Sequence, residues 1–291
     1  MNNITIFTPT YNRINTLKNT YDSLKNQTDK NFIWMIIDDG STDETEKVVS
    51  DWKKEGIVNI EYFKKKNGGK HSAYNMFMSK VQTQYCLIAL DSDDIIVEDG
   101  IEYLNKKISD LNDKQCGIVC IRSKYASRRD ETCKKYDINK LSGNSLKSAL
   151  ENNMFAAECS FLFETDYIKK FRYPEIEKEN FFTEAYVYYQ LDKEIYWSDK
   201  ILTLGAYLDD GLTKNSSKLF FNNPTSWMMF NELRMKQNKS FIKRIKYTIY
   251  FIAFSLMSGN NPFKNNNKIK IFILYPIGII GKNYITRRNK I

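Results

Sequence analysis

The feature that most constrains this chain is an alternation near its start: four short apolar runs, each followed by a turn and most by a stretch of helical period, fill about 110 residues. Ile4 to Thr8, Phe32 to Ile37, Ile57 to Phe63 and Cys86 to Leu90 read as strands, and the last, uncharged throughout, as one buried on both faces. Between them Ile14, Leu17, Tyr21 and Leu24 recur at spacings of three and four and predict a helix with one buried stripe. Ser41 and Glu44 form a Ser-x-x-Glu capping box that would open a second helix to about Lys54, and Ala73, Phe77 and Val81 mark a third. Such an alternation predicts an α/β fold with a mostly parallel sheet flanked by helices.

In a parallel sheet the strand ends share one edge, the crevice where open α/β sheets take ligands. Here those ends are chemically rich. The first strand runs into Pro9-Thr10-Tyr11-Asn12-Arg13, the second into Asp38-Asp39-Gly40, the third into Asn67-Gly68-Gly69-Lys70, and the fourth into Asp91-Ser92-Asp93-Asp94. Three carboxylates within four residues repel one another unless a cation lies among them, and a hard divalent ion with oxygen ligands is the simplest such partner. Tyr11 offers a ring to a base, Asp39 an acceptor to a base imide N–H, and Arg13 and Lys70 positive charge to phosphate. Gly68-Gly69 lets the backbone approach a ligand just before a helix N-terminus, a favourable place for an anion. Singly, each has a structural reading, with Asp as turn residue or cap, Tyr11 as surface aromatic and Lys70 as solvated charge. Together they fit a nucleotide.

The 291 residues suffice for one large domain or a domain with an appendage. The net charge of +9 is uneven: residues 233–291 hold 13 Lys/Arg and no Asp/Glu, so the other 31 of the 44 Lys/Arg stand against 35 Asp/Glu. Within that basic tail Tyr247 to Gly259 and Ile271 to Gly281 are mostly apolar, yet well short of the roughly 20 residues of a spanning helix. Apolar runs framed by Lys and Arg suit a helix lying at an anionic membrane surface; packing back on the body as core helices is the alternative. No nucleic-acid partner is expected, because the basic residues frame oily stretches. Five cysteines, an odd number, and no signal peptide before Ile4 point to a reducing cytosol, with the chain peripheral at the inner face of the cell membrane. Cys116 and Cys120 lack a second close pair and the single histidine is His71, so no zinc site is expected. Further strands are expected over Gly117 to Ile121 and Phe155 to Phe163, a surface loop or flap over Lys124 to Gly143, a short helix from Thr183 carrying Ala185, Tyr188 and Leu191, and a turn in Tyr207 to Thr213.

In this order and spacing, Thr8-Pro-Thr-Tyr-Asn-Arg13, Gln27-Thr28, Asp38-Asp-Gly-Ser-Thr-Asp43, Asn67-Gly-Gly-Lys70 and Asp91-Ser-Asp-Asp94 resemble the inverting family 2 glycosyltransferases, densely over residues 3–105 and in scattered features to Thr213. The resemblance implies a GT-A, Rossmann-like domain over residues 1–232, with a nucleotide-binding half to about residue 115 and an acceptor half over 116–232, ahead of a basic amphipathic extension over 233–291. It implies that Pro9, Thr10 and Tyr11 hold the base together with Asp39. Arg13 and Lys70 would serve the phosphates, Asp91 the ribose, and Asp93, beside Asp91, Mn²⁺ or Mg²⁺ on the diphosphate. The general base of such enzymes opens a helix past the sheet, a place best matched by Glu184. Ala185 stands there where an Asp is usual, and Glu177, Glu179 and Asp210 remain alternatives. The implied reaction moves a hexose or N-acetylhexosamine from a nucleotide-sugar, UDP-linked by preference, to a growing surface glycan or lipid-linked acceptor. Two other readings stand beside it. A nucleotidyltransferase would show a glycine-rich loop directly after the first strand, and Thr8 to Arg13 has no glycine. A non-catalytic sugar-binding or scaffold protein would have no use for a metal site beside a base pocket.

Overall fold

The computed structural model describes residues 3–88, 90–124, 135–205 and 216–288. The chain forms two units, one of Met1–Arg172 with Tyr188–Ala206 and one of Tyr173–Val187 with Tyr207–Ile291.

The first unit is built on one sheet. In chain order its elements are β1 (Ile4–Thr10), α1 (Ile14–Lys25), β2 (Phe32–Asp38), α2 (Thr45–Glu55), β3 (Ile60–Lys64), α3 (Lys70–Lys80), β4 (Tyr85–Leu87), β5 (Asp94–Ile96), α4 (Gly100–Ile108), β6 (Gln115–Ser123), α5 (Ile138–Leu141), α6 (Leu146–Glu151), β7 (Cys159–Glu164) and α7 (Thr165–Ile168). The short α8 (Ala185–Tyr188), whose first three residues belong to the second unit, precedes the last strand of the sheet, β8 (Glu194–Gly205). The strand order is β3-β2-β1-β4-β7-β6-β8-β5. β3, β2, β1 and β4 run parallel, as do β6 and β8, whereas β7 and β5 run against their neighbours. From β1 the chain goes one way to β2 and β3 and the other way to β4, which makes the β1/β4 boundary a topological switch point.

Period-two patterning sorts the core onto the two sheet faces. Ile4 and Ile6 of β1 join Trp34 and Ile36 of β2 in one cluster with Leu17, Tyr21, Leu24, Val49 and Trp52 from α1 and α2. Tyr21 stacks on Trp52 at 4.2 Å, and Trp34 donates its indole N–H to the Thr8 hydroxyl at 2.9 Å. Phe7, one residue out of step, faces α3 and stacks on Phe77 at 4.6 Å. Gln27 and Thr28 are braces: the Gln27 amide donates to Val97 O and accepts from Ile101 N, and the Thr28 hydroxyl bonds Glu102.

Several expectations are corrected. Ser41 does not cap α2: its hydroxyl accepts from Asn12 N, and Asp43 holds the helix start through Thr45 N and the Thr45 hydroxyl. The fourth strand is shorter than expected, Tyr85–Leu87, although Ile88 N still bonds Phe161 O at 2.9 Å, and β7 begins at Cys159 rather than Phe155, with Glu158 O accepting from Arg122 N at 2.9 Å. β5 and the twelve-residue β8 were not expected; both carry charged or polar residues that mask their strand character. Part of the expected flap, 138–141, is the helix α5, while residues 125–134 and the turn at 207–213 lie outside the described residues. Leu191 is buried but falls beyond α8.

The second unit is helical: α9 (Ser216–Asn222), α10 (Pro224–Gln237), α11 (Phe241–Met257) and α12 (Lys268–Arg288). The 232/233 boundary expected from the charge falls inside α10, so that helix spans the expected division. Pro224 at its first turn has no N–H to lose, and the Glu179 carboxylate accepts from Thr225 N, Ser226 N and the Ser226 hydroxyl, each at 2.7 Å. α11 buries Phe251, Ile252, Ala253 and Phe254, with Ile271 of α12 in the same cluster. Gly278 lets α12 close on α11, since a Cβ there would overlap the Ile252 side chain. No helix among the described residues is long and apolar enough to cross a membrane.

Candidate active site

The ends of β1, β2 and β3 are stitched into one edge by short polar contacts. Thr10 O accepts from Asp39 N at 2.8 Å, and Asp38 O from Lys65 N at 2.9 Å. Asn12 adopts a left-handed conformation (φ 52°) that Asn tolerates, and its side-chain oxygen accepts from Thr42 N at 2.8 Å. Tyr11 follows β1 and is 48% exposed, Pro9 is half-buried within the strand, and Arg13 directly precedes α1. The Thr10 hydroxyl is buried and finds no hydrogen-bond partner among the described residues, so a polar ligand atom at this edge would satisfy it.

The two acids of β2 divide their work. Asp38 is fully buried and accepts from Ser41 N at 2.7 Å and from the Tyr62 hydroxyl at 2.5 Å, so it holds the turn. Asp39 accepts from Gly68 N (3.0 Å), Gly69 N (2.7 Å) and Lys65 Nζ (2.8 Å), which fixes the loop that delivers Lys70. A carboxylate has about four lone-pair sites, so these three contacts use most of its accepting capacity. Lys65 was missed in the sequence, where its place in the Lys64-Lys65-Lys66 run beside Asn67-Gly68-Gly69 was the available signal.

After β4 the chain turns, with Asp94 N bonded to Asp91 O at 3.0 Å, and the three carboxylates find different environments. Lys70 Nζ meets both Asp91 oxygens, at 2.7 and 2.9 Å. Asp94 belongs to the sheet: its carboxylate takes the Arg122 guanidinium at 2.7 to 3.1 Å, and Arg122 also reaches Glu158. Burial, with the neighbouring acids, pushes Asp94 up to about 6 while Arg122 pulls the other way. Asp93 has no ion-pair partner among the described residues, and burial and the charge of Asp91 raise its pKa. The sequence reading placed all three acids in the crevice; it could not see Arg122, 28 residues on.

Among the described residues no group of three or more His, Cys, Asp and Glu could hold a metal alone. The chemistry at Asp93 nevertheless fits a divalent ion. A half-buried carboxylate with a raised pKa beside a second carboxylate supplies one or two hard oxygens, the number Mg²⁺ commonly takes from protein when phosphate supplies the rest. His71 is buried in the first turn of α3.

Glu184 is exposed, immediately before α8, and its carbonyl accepts from Val187 N at 3.1 Å. It lies on the Tyr173–Val187 segment, which belongs to the helical unit. Its rival Glu179 is a helix cap whose carboxylate accepts three hydrogen bonds, Glu177 is exposed, and Asp210 lies outside the described residues.

An open α/β sheet carrying these groups at its carboxyl edge is the architecture of the GT-A enzymes, and solved structures share it. TarS 1-349 of Staphylococcus aureus in complex with UDP-GlcNAc matches with a TM-score of 0.60 at 15% identity, over 94% of this chain and 79% of that one. The mannosyltransferase PcManGT of Pyrobaculum calidifontis in complex with GDP-Man and Mn²⁺ matches with a TM-score of 0.57 at 12% identity, over 95% and 85%. The family model for glycosyl transferase family 2 matches residues 5–172, and the chain belongs to that family. A Rickettsia felis uncharacterized glycosyltransferase is 39% identical over 109 residues, 38% of this chain but only 18% of that protein. The GalNAc(5)-diNAcBac-PP-undecaprenol β-1,3-glucosyltransferase of Campylobacter jejuni is 25% identical over 323 aligned residues, 100% of this chain and 98% of that protein. Membership of this family removes the nucleotidyltransferase reading.

Two expected outcomes test this geometry. A Cβ at Gly205, which pairs with Asp94 across β8 and β5, would overlap both the Arg122 guanidinium and the Asp94 carboxylate. Gly205→Ala should therefore break a buried pair and cost about 3–5 kcal/mol, read from the urea midpoint; a wild-type midpoint would show that the pair is not structural. Asp39→Asn should cost about 1–3 kcal/mol and speed amide exchange at Gly68 and Gly69. If exchange at those two glycines is unaltered, Asp39 is not what orders the loop.

Proposed function

We propose that this glycosyltransferase moves a hexose or N-acetylhexosamine from a UDP-sugar to a hydroxyl of a lipid-linked or growing surface glycan, with inversion at the anomeric carbon. The observation that carries the reading is the gathering of Thr10, Tyr11, Asp39, Lys70, Asp91 and Asp93 on strand ends and adjoining loops of one parallel sheet, with Lys70 paired to Asp91. In this reading Tyr11 lies against the base, Asp39 accepts its imide N–H, and the Thr10 hydroxyl takes a polar atom nearby. Lys70 is poised to exchange Asp91 for diphosphate, and Arg13 adds positive charge at the same edge. Asp93, with Asp91, would hold Mn²⁺ or Mg²⁺, which when bound stabilises the charge on the departing nucleotide; PcManGT in complex with Mn²⁺ supports this.

The acceptor oxygen attacks the anomeric carbon opposite the diphosphate, the bond from that carbon to the phosphate oxygen breaks with its electron pair going to UDP, and a carboxylate takes the hydroxyl proton. We assign that proton to Glu184, because Glu179 is occupied as a helix cap. UDP is favoured as donor carrier by the UDP-GlcNAc complex of TarS, and a lipid-linked acceptor by the end-to-end match with the Campylobacter enzyme. A basic C-terminal region with such an acceptor would keep the protein peripheral at the inner membrane face.

Calorimetric titration of UDP in the presence of Mn²⁺ should weaken sharply with EDTA and with Asp93→Ala; equal affinity in all three titrations would remove the metal from the reading. In single-turnover transfer, Glu184→Gln should slow the reaction by on the order of 10²- to 10⁴-fold with UDP affinity unchanged. Normal transfer by Glu184→Gln together with loss in Asp210→Asn would move the base to Asp210.

A further inference from the structure

The apolar run of α11 is largely buried, while α12 is apolar on two sides. One side packs inward through Ile271, Leu274 and Gly278. The other presents Ile269, Phe272, Ile273, Ile277, Ile280 and Tyr284, in steps of three and four that put them on one stripe. All but Ile277 in this set are 63–79% exposed, and the stripe is about 22 Å long. A helix apolar all round is ordinarily covered all round, and a contiguous exposed patch of this kind marks an interaction surface. Pro276, on the exposed side, with Gly278 and Gly281 makes α12 a poor helix by intrinsic propensity, so it depends on what packs against it.

Charge decides the occupant. Lys264, Lys268 and Lys270 stand at or before one end of the stripe and Lys282 and Arg287 toward the other, and residues 233–291 contain no carboxylate side chain. A second copy would set two such strongly basic surfaces against each other. An anionic bilayer matches both features: the Lys and Arg heads meet lipid phosphate, and the Ile and Phe side chains enter the acyl boundary with the helix parallel to the surface. We propose that the outer face of α12 docks on an anionic lipid surface without crossing it. The inference deepens the lipid-linked acceptor of the proposed function and rests on it for its purpose, though not for its chemistry.

The test is flotation of the full chain with vesicles of phosphatidylcholine and phosphatidylglycerol, beside phosphatidylcholine alone, with UDP and Mn²⁺ binding measured on the same protein. The wild type should float with the anionic vesicles and be partly released by salt. Ile269→Ser, Phe272→Ser, Ile277→Ser and Ile280→Ser combined, all at exposed positions, should lower partitioning by on the order of a hundredfold and leave UDP binding unchanged. Lys268→Glu with Lys270→Glu should weaken it by about fivefold per removed positive charge or more. Flotation of the serine variant like wild type, or equal wild-type partitioning into neutral vesicles, overturns the docking face. So does a wild type that stays off the vesicles as a dimer broken by the serine substitutions, which would make the occupant a second copy. A wild type that binds UDP yet never floats overturns the docking face alone; one that floats without binding nucleotide supports it and overturns the donor reading instead.

Discussion

Crowding of like charge at the end of β4 is the constraint on which the sheet unit depends. Asp91, Asp93 and Asp94 lie within four residues, and the fold separates their fates by supplying two cations from distant sequence. Lys70 comes from the start of α3 to Asp91, and Arg122 from β6 to Asp94. The second pair also locks topology, because β5 can lie beside β8 only if Gly205 leaves room for the guanidinium. Asp93 is left half-buried, beside Asp91 and without a cation of its own among the described residues. Two of the acids are thus paired with cations from distant sequence, and among the described residues Asp93 is not.

A second economy lies in the paired acids of β2. Asp38 spends its oxygens on its own turn and on Tyr62, while Asp39 spends most of its capacity on Gly68, Gly69 and Lys65. Because Lys70 directly follows that loop, whatever perturbs Asp39 is transmitted to the lysine facing Asp91. Asp39 and Lys70 are therefore linked through the backbone of one short loop.

The helical unit obeys a different logic. Glu179 ties the segment carrying Glu184 to the N-terminus of α10, so a carboxylate that looks catalytic by composition serves to position its neighbours. α11 buries its apolar run among helices, whereas α12 leaves an equally apolar face outward. The same composition thus has opposite uses in two consecutive helices.

What the sequence determined by itself is the part encoded by local periodicity and order: four parallel strands with their helices, the stripe on α1, the gathering of strand ends on one edge, and the family. Its strand signals failed at β5, three residues long and opened by Asp94, and at β8, with Glu194, Asp199 and Lys200 within it. Those strands form because partners already in the sheet accept them, and short-range pattern does not report such partners. The role of each acid was also beyond the sequence. Asp94 and Glu179 are the same kind of carboxylate as Asp93 and Glu184, and only tertiary structure brings Arg122 to one and the open N-terminus of α10 to the other. A charge is assigned by what desolvates and pairs it, and those partners lie 28 and 47 residues away.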